Sequence, residues 1–198
     1  MQLTKNPALK PLDSKMVTQE SPIPSTTVGK FLFHHTLSRR HVSRLQKLNV
    51  FFDKKKLESV VLPLICMNSK ISLRLLNWFV ISYCKQNQTI IQTKKSFIHI
   101  YNDYRSALRC WKRPLFDAFR RGPRIYFTIN KTQYSTTVAQ LNYIHWALSH
   151  GVLQHLYKQW PTIHKQMTQT MYSSGKKCPI PLTSNTNFFC EHLTTIQL

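Results

Sequence analysis

The densest run of side chains able to do chemistry lies between positions 105 and 124, where Arg105, Arg109, Lys112, Arg113, Arg120, Arg121 and Arg124 crowd together. Tyr101, Tyr104, Trp111, Phe116 and Phe119 stand beside or between them. A guanidinium meets phosphate through a two-bond fork, and aromatic rings stack on unpaired bases. Asp103 and Asp117 are the only carboxylates between Val60 and Cys190, too few to neutralise the cluster. The arginines are therefore expected to contact phosphate, with Lys131 adding a charge at a later turn. The aromatic rings are expected to turn mainly towards a core.

Catalytic arrangements are poorly supplied. Acid–base pairs and two-metal sites use clustered carboxylates, and Asp103 and Asp117 are isolated. Asp117, in FDAFRR, has Arg120 and Arg121 at hand as ion-pair partners. The four glycines are too scattered for a P-loop, GxGxxG or GxSxG. His145, His150 and His155 follow at intervals of five. Zinc ligands on one helix sit four apart, and a fifth step swings the next ring off the shared face. Cys178, Cys190 and His192 form a weaker set near the C-terminus. Cys84 and Cys110 fall in expected helices beside aromatic residues, where cysteine is common packing material. The reading is a non-enzyme with no metal and no cofactor. His145 is expected to be a core histidine, and His150 to lie in the last turn of a helix.

The elements that must position these residues follow from periodicity and punctuation. Leu37, Val42, Leu45, Leu48 and Val50 recur at helical spacing among basic residues, a basic helix with an apolar stripe. A short helix is expected over 54–62, ending near Pro63. A longer one is expected from an N-cap at Ser69 to Lys85, apolar on most sides and so central. Residues 89–92 and 96–100 read as short strands around Lys94 and Lys95. A helix then spans 101–111 and stops before Pro114. Residues 115–121 read as one or two further turns closed by Gly122. Ile125, Phe127 and Ile129 alternate, Asn130-Lys131 turns, and 132–136 returns as a hairpin. Thr137-Val138-Ala139-Gln140 fits a capping box and opens a helix stopped by Gly151. A last helix is expected over 152–160, ended by Pro161.

The fold class expected is thus α+β, a mostly helical domain with a β-hairpin and short strands, flanked by disordered basic tails. The element order also allows a winged-helix arrangement, with 115–121 as the groove-reading helix and Asn130-Lys131 as the wing tip. The divisions are a disordered basic arm over 1–30, a basic helical segment over 31–67, a compact core over 68–161 and a polar flexible tail over 162–198.

Composition narrows the partners. The 198 residues carry 28 Lys and Arg against 7 Asp and Glu, a formal charge of +21. That field repels itself unless an anion is near, with nucleic acid first, an acidic protein second and an anionic membrane surface third. Five cysteines without CxxC spacing fit a reducing compartment. The first thirty residues have no apolar core of a secretory signal. The longest apolar run, Leu75 to Tyr83, is far short of the roughly 20 residues that span a bilayer. The expectation is a soluble intracellular protein.

Three blocks carry a resemblance: ISLRLLNWFVISYCKQ over 71–86, YNDYRSALRCWKRPLFDAFRRGPRIYF over 101–127 and TTVAQLNYIHWALSHGVL over 136–153. In that order they resemble a protein family of the nucleocytoplasmic large DNA viruses, the giant-virus lineage. Asn77, Ala118 and Gly122-Pro123 depart from the family's pattern. The resemblance implies expression in an infected cell, with a home in the host cytoplasm at a virus factory or in the virion, or else in the host nucleus. It implies no catalytic residue.

The functions expected are a basic viral protein binding DNA or RNA, as an accessory of (late) transcription or a genome-associated factor, or else a virion protein meeting an acidic partner. Oligomeric state is left open. An enzyme would require His145, Asp103 or Asp117 to converge with a nucleophile.

Overall fold

A computed structural model of the protein describes residues 26–93, 96–119 and 121–173. In β5 (Arg124–Ile129), Ile125, Phe127 and Ile129 face the core, while Tyr126 and Thr128 alternate outward. β6 (Thr132–Thr137) returns antiparallel, with Arg124 opposite Thr137 and Ile129 opposite Thr132. Asn130 and Lys131 both take positive φ, 49° and 65°, as a tight turn matching strand twist requires.

The other edge of this sheet comes from the segment read as a basic arm and its neighbour. β1 (Thr26–Val28) and β2 (Phe31–Phe33) pair antiparallel, and β2 joins β5 with Leu32 opposite Tyr126. The strand order is β1-β2-β5-β6. The turn between β1 and β2 uses Gly29 at φ +58°, where a Cβ would run into the Asn49 side chain. Thr26–Val28, read as part of a disordered arm, is thus a strand, and residues 1–25 lie outside the described residues.

Lys30 explains why this turn is anchored. Its ammonium donates to Asn49 O at 2.7 Å and to Phe52 O at 2.6 Å, carbonyls at the end of α1 (Arg39–Phe51) that the helix leaves unpaired. Lys30→Met is expected to lower stability by about 1–2 kcal/mol, read as a lower urea midpoint. An unchanged midpoint would show that water satisfies those carbonyls equally well.

α2 (residues 54–65) and α3 (residues 73–86) each contain a widened π segment, Leu57–Val61 and Phe79–Tyr83. The Leu62 N–H bonds to Leu57 O and the Cys84 N–H to Phe79 O, five residues back in each case. Pro63 thus does not end α2. Its ring would clash with the Ser59 carbonyl in a regular helix, and the wide turn immediately before it opens that space. Ser72, not Ser69, caps α3, with Oγ accepting from Leu75 N. Ser69 is buried and its Oγ instead bonds the backbone of Ile71.

β3 (Ile90–Gln92) and β4 (Phe97–His99) form the expected two-stranded ribbon; Lys94 and Lys95 lie outside the described residues. α4 (Ile100–Trp111) comes next and ends where Lys112 takes φ 56° and ψ 165°. α5 (Val138–Ser149) is capped by Thr137, whose Oγ1 accepts from Gln140 N. The Gln140 side chain does not complete the box; it bonds Thr136 Oγ1 and Ala118 O. α5 is buried nearly all round and is the central helix, with α3 beside it in the same core. Gly151, at φ 71°, separates α5 from α6 (Val152–Lys158).

α7 (Trp160–Ser173) corrects the C-terminal reading. Pro161 sits in its first turn, where no N–H is needed, so it starts a helix rather than ending one. Ile163, Met167 and Met171 are buried from it, and Trp160 Nε1 donates to Lys70 O at 2.7 Å. Residues 174–198 lie outside the described residues.

The result is α+β, with seven helices and two small antiparallel sheets among the described residues. One hydrophobic cluster takes in Phe31, Leu45 and Leu64 together with Leu76, Phe116 and Met171. No core boundary separates residues 31–67 from residues 68–161. The winged-helix arrangement is not supported. The hairpin is built into the four-stranded sheet through β2, and residues 116–119 and 121 are not helical. The chain makes only a 3-10 turn at Arg113–Leu115, and Phe116 then leaves helical geometry at φ −149° and ψ 89° with its ring in the core.

Candidate nucleic-acid interface

α4 sets the first four cations. Its inner stripe, with Tyr104 and Leu108 packed on the core, leaves Arg105 and Arg109 exposed one turn apart on the outer face. Lys112 and Arg113 are exposed where the chain leaves the helix. Among the described residues none of these four meets a carboxylate. Arg105 lies over the Tyr101 ring at 6.0 Å, and Lys85 approaches the same ring at 5.9 Å. Lys85 was not among the residues expected from sequence.

The remaining expected residues are dispersed. Arg121 is exposed but engaged by Asp117 through two bonds of 2.7 and 3.0 Å, which hold its guanidinium above its ordinary pKa. Arg124 is half-buried on β5, and its Nη1 is buried without a partner among the described residues. Lys131 sits at the hairpin tip, about 17 Å along the strand from Arg124, where neighbouring Asn130 donates to Glu58. Arg120 lies outside the described residues. The aromatics divide as expected: Tyr104 and Phe116 pack with Tyr143 and Trp146, while Phe119 is exposed with Arg121 over its ring at 5.4 Å.

α1 supplies what sequence reading left out. It carries no acidic residue, and its apolar side packs on α5, which turns Arg44 into the seam beside α4. Arg44 Nε donates to Asn142 Oδ1 at 2.7 Å and Nη2 to His145 Nδ1 at 3.1 Å. Its guanidinium carbon stands 4.6 Å from the centre of the Trp111 ring. Asn142 Nδ2 donates to Leu115 O at 2.7 Å, and His41 Nε2 reaches Pro114 O at 3.1 Å. The segment after α4 is thus pinned between α1 and α5. Arg40 and Lys47 are exposed one turn either side of Arg44 and add two cations to α1. The sequence signal was the acid-free stretch from Phe31 to Phe52; the pairing of α1 with α4 is long-range and was not visible.

Each of the acid–base candidates has its own partners. Asp103 accepts from Trp146 Nε1 at 2.7 Å and faces His150 Nε2 at 3.6 Å. Asp117 is held by Arg121, and His145 by Arg44. Among the described residues no three His, Cys, Asp or Glu side chains are grouped to hold a metal ion. No described helix is long and apolar enough to cross a membrane.

His145 has a pH consequence. Burial first, then the Arg44 and His150 charges, pull its pKa from 6.5 down to about 4. A proton on Nδ1 would remove the lone pair that Arg44 uses. The unfolded chain therefore takes up this proton before the folded one does. The stability of neutral His145 is complete above pH 6.5, is lost as pH falls, and levels off below about 4. Discounted for the ring's partial exposure, the loss is about 1–2 kcal/mol. His145→Asn, which keeps an acceptor near the place of Nδ1, is expected to flatten that part of a stability-versus-pH profile. Equal slopes in both proteins would remove His145 as the cause.

A family model described as a family of unknown function (DUF7197) matches residues 34–187, well beyond the blocks that carried the viral resemblance. An uncharacterised protein of Acanthamoeba polyphaga mimivirus is 26% identical over 149 residues, 70% of this chain. That stretch is 58% of the relative, so the chain spans a little over half the length of the curated protein it matches. No solved structure matches. The mimivirus relative agrees with a giant-virus lineage.

Proposed function

We propose, from the premise that the chain belongs to DUF7197, a family of unknown function, that it is a basic viral protein that binds nucleic acid through the outer face of α4 and the segment after it. The observation that carries this reading is the exposed row Arg105, Arg109, Lys112 and Arg113, without a carboxylate partner among the described residues. Cations left unpaired on one face are a footprint for a phosphate backbone. Arg40 and Lys47 of α1 widen that footprint. A role as a transcription accessory or genome-associated factor, in a virus factory, virion or host nucleus, belongs to the same reading.

The test is binding of the purified full chain to duplex DNA, single-stranded DNA and RNA over a salt series. With about four phosphates engaged on duplex DNA, a fourfold rise in salt lowers affinity roughly a hundredfold. Folded protein that binds none of the three, or binds with no salt dependence, overturns the reading. The charged face would then point to an acidic protein partner in the particle.

A further inference from the structure

We propose that Arg44, held against Trp111 and His145, is a preformed site for one backbone phosphate of a nucleic-acid strand. This rests on the nucleic-acid reading above and names the point on the surface where a strand is gripped.

Arg44 is half-buried, and its partners are all neutral: the Asn142 amide, the His145 imidazole and the Trp111 ring. No carboxylate among the described residues pairs with it. Burial alone disfavours such a cation, and its pKa is pulled below the ordinary value by desolvation. An arriving anion offsets that cost where a neutral ligand does not.

The Arg44 guanidinium is also held rigidly. Nε and Nη2 are each committed, and the guanidinium carbon stands over the Trp111 ring, so the fork is fixed before any ligand arrives. Nη1 has no acceptor among the described residues. Because Arg44 donates to His145 Nδ1, the ring proton of neutral His145 sits on Nε2. That second donor also lacks a partner among the described residues.

Lys112 directly succeeds Trp111 with φ 56° and ψ 165°, a backbone region that residues with a side chain avoid. This abrupt exit leaves Lys112 and Arg113 exposed next to the stacked pair.

A purely architectural role accounts for less. Asn142 already ties the segment to α5 through Leu115 O, and a neutral donor would serve its Oδ1 equally well. The positive charge is the feature that role leaves unexplained.

The experiment is a nitrogen-15 titration of the full chain, following the Arg44 Nε–H and Trp111 Nε1–H signals. The two probes are inorganic phosphate and a short oligothymidylate. Both signals are expected to shift with either probe, and to saturate at far lower concentration with the oligonucleotide. Arg44→Gln is expected to weaken the oligonucleotide at least about tenfold and to reduce the salt slope by about 0.7. Arg44→Lys should lose less, since it keeps the charge without the fork.

Saturation by oligonucleotide with unmoved Arg44 and Trp111 signals overturns the site while leaving the proposed function standing. So does equal affinity in a folded Arg44→Gln variant. Shifts with inorganic phosphate but none with oligonucleotide overturn the strand assignment. A wild-type chain that binds no oligonucleotide removes the functional reading and this site with it. Should Arg44→Gln not fold, the wild-type titration still decides.

Discussion

Replacing Arg105, Arg109, Lys112 and Arg113 together by alanine is expected to weaken duplex binding roughly a thousandfold at moderate salt, and to make the log–log salt slope shallower by about 3. The four side chains are exposed and lack a carboxylate partner among the described residues, so their loss should leave the fold unchanged. Lys131→Ala is the control, because it removes one charge from the turn of the β5–β6 hairpin, a different element. It is expected to cost less than about threefold. A Lys131 effect as large as the quadruple effect would mean that net charge, not this face, drives association.

Asn142→Leu is expected to destabilise the protein by about 3–4 kcal/mol, a large share of the roughly 5–15 kcal/mol available to a domain. Asn142 is 1% exposed and works in two directions at once. Its Oδ1 accepts from a guanidinium and its Nδ2 donates to Leu115 O. Leucine is close in volume, so packing survives while a half-buried cation and a carbonyl beneath the surface both lose their partner. Urea denaturation gives the total. Hydrogen exchange over residues 112–119 should rise further than elsewhere, because that segment is held through Leu115 and Pro114. A loss below about 1 kcal/mol would mean that water replaces both bonds and that Phe116 and the His41 and Gln140 contacts suffice to pin the segment.

Elements with their own local signal were legible in the sequence. The hairpin around Asn130-Lys131, the Thr137 cap, the stop at Gly151 and the ribbon of β3 and β4 all rest on contacts between near neighbours. The misreadings share a cause. Pro63 and Pro161 are breakers in isolation, but a wide turn accommodates the first and an N-terminal position suits the second. Residues 115–121 had helical composition, yet Phe116 gains more by entering the ring cluster of Tyr104, Tyr143 and Trp146 than by one more turn. In the candidate interface the α4 cations were visible because they are consecutive turns of one helix. Arg44 was not, since its partners lie 98 and 101 residues away. Arg121 was read as available because the sequence does not reveal which of two adjacent arginines Asp117 will take.

The two π segments bear on how the chain tolerates length change. A π turn is an α-helix carrying one surplus residue, so deleting one residue from it restores an ordinary helix without shifting the residues after it. Within Phe79–Tyr83 such a deletion should be nearly neutral for folding, since Cys84 and the residues beyond keep their facing. Within Leu57–Val61 the same deletion would drive the Pro63 ring into the carbonyl four residues before it. Single-residue gaps in homologous chains are therefore expected at the second widening, and at the first only where the proline has also been replaced.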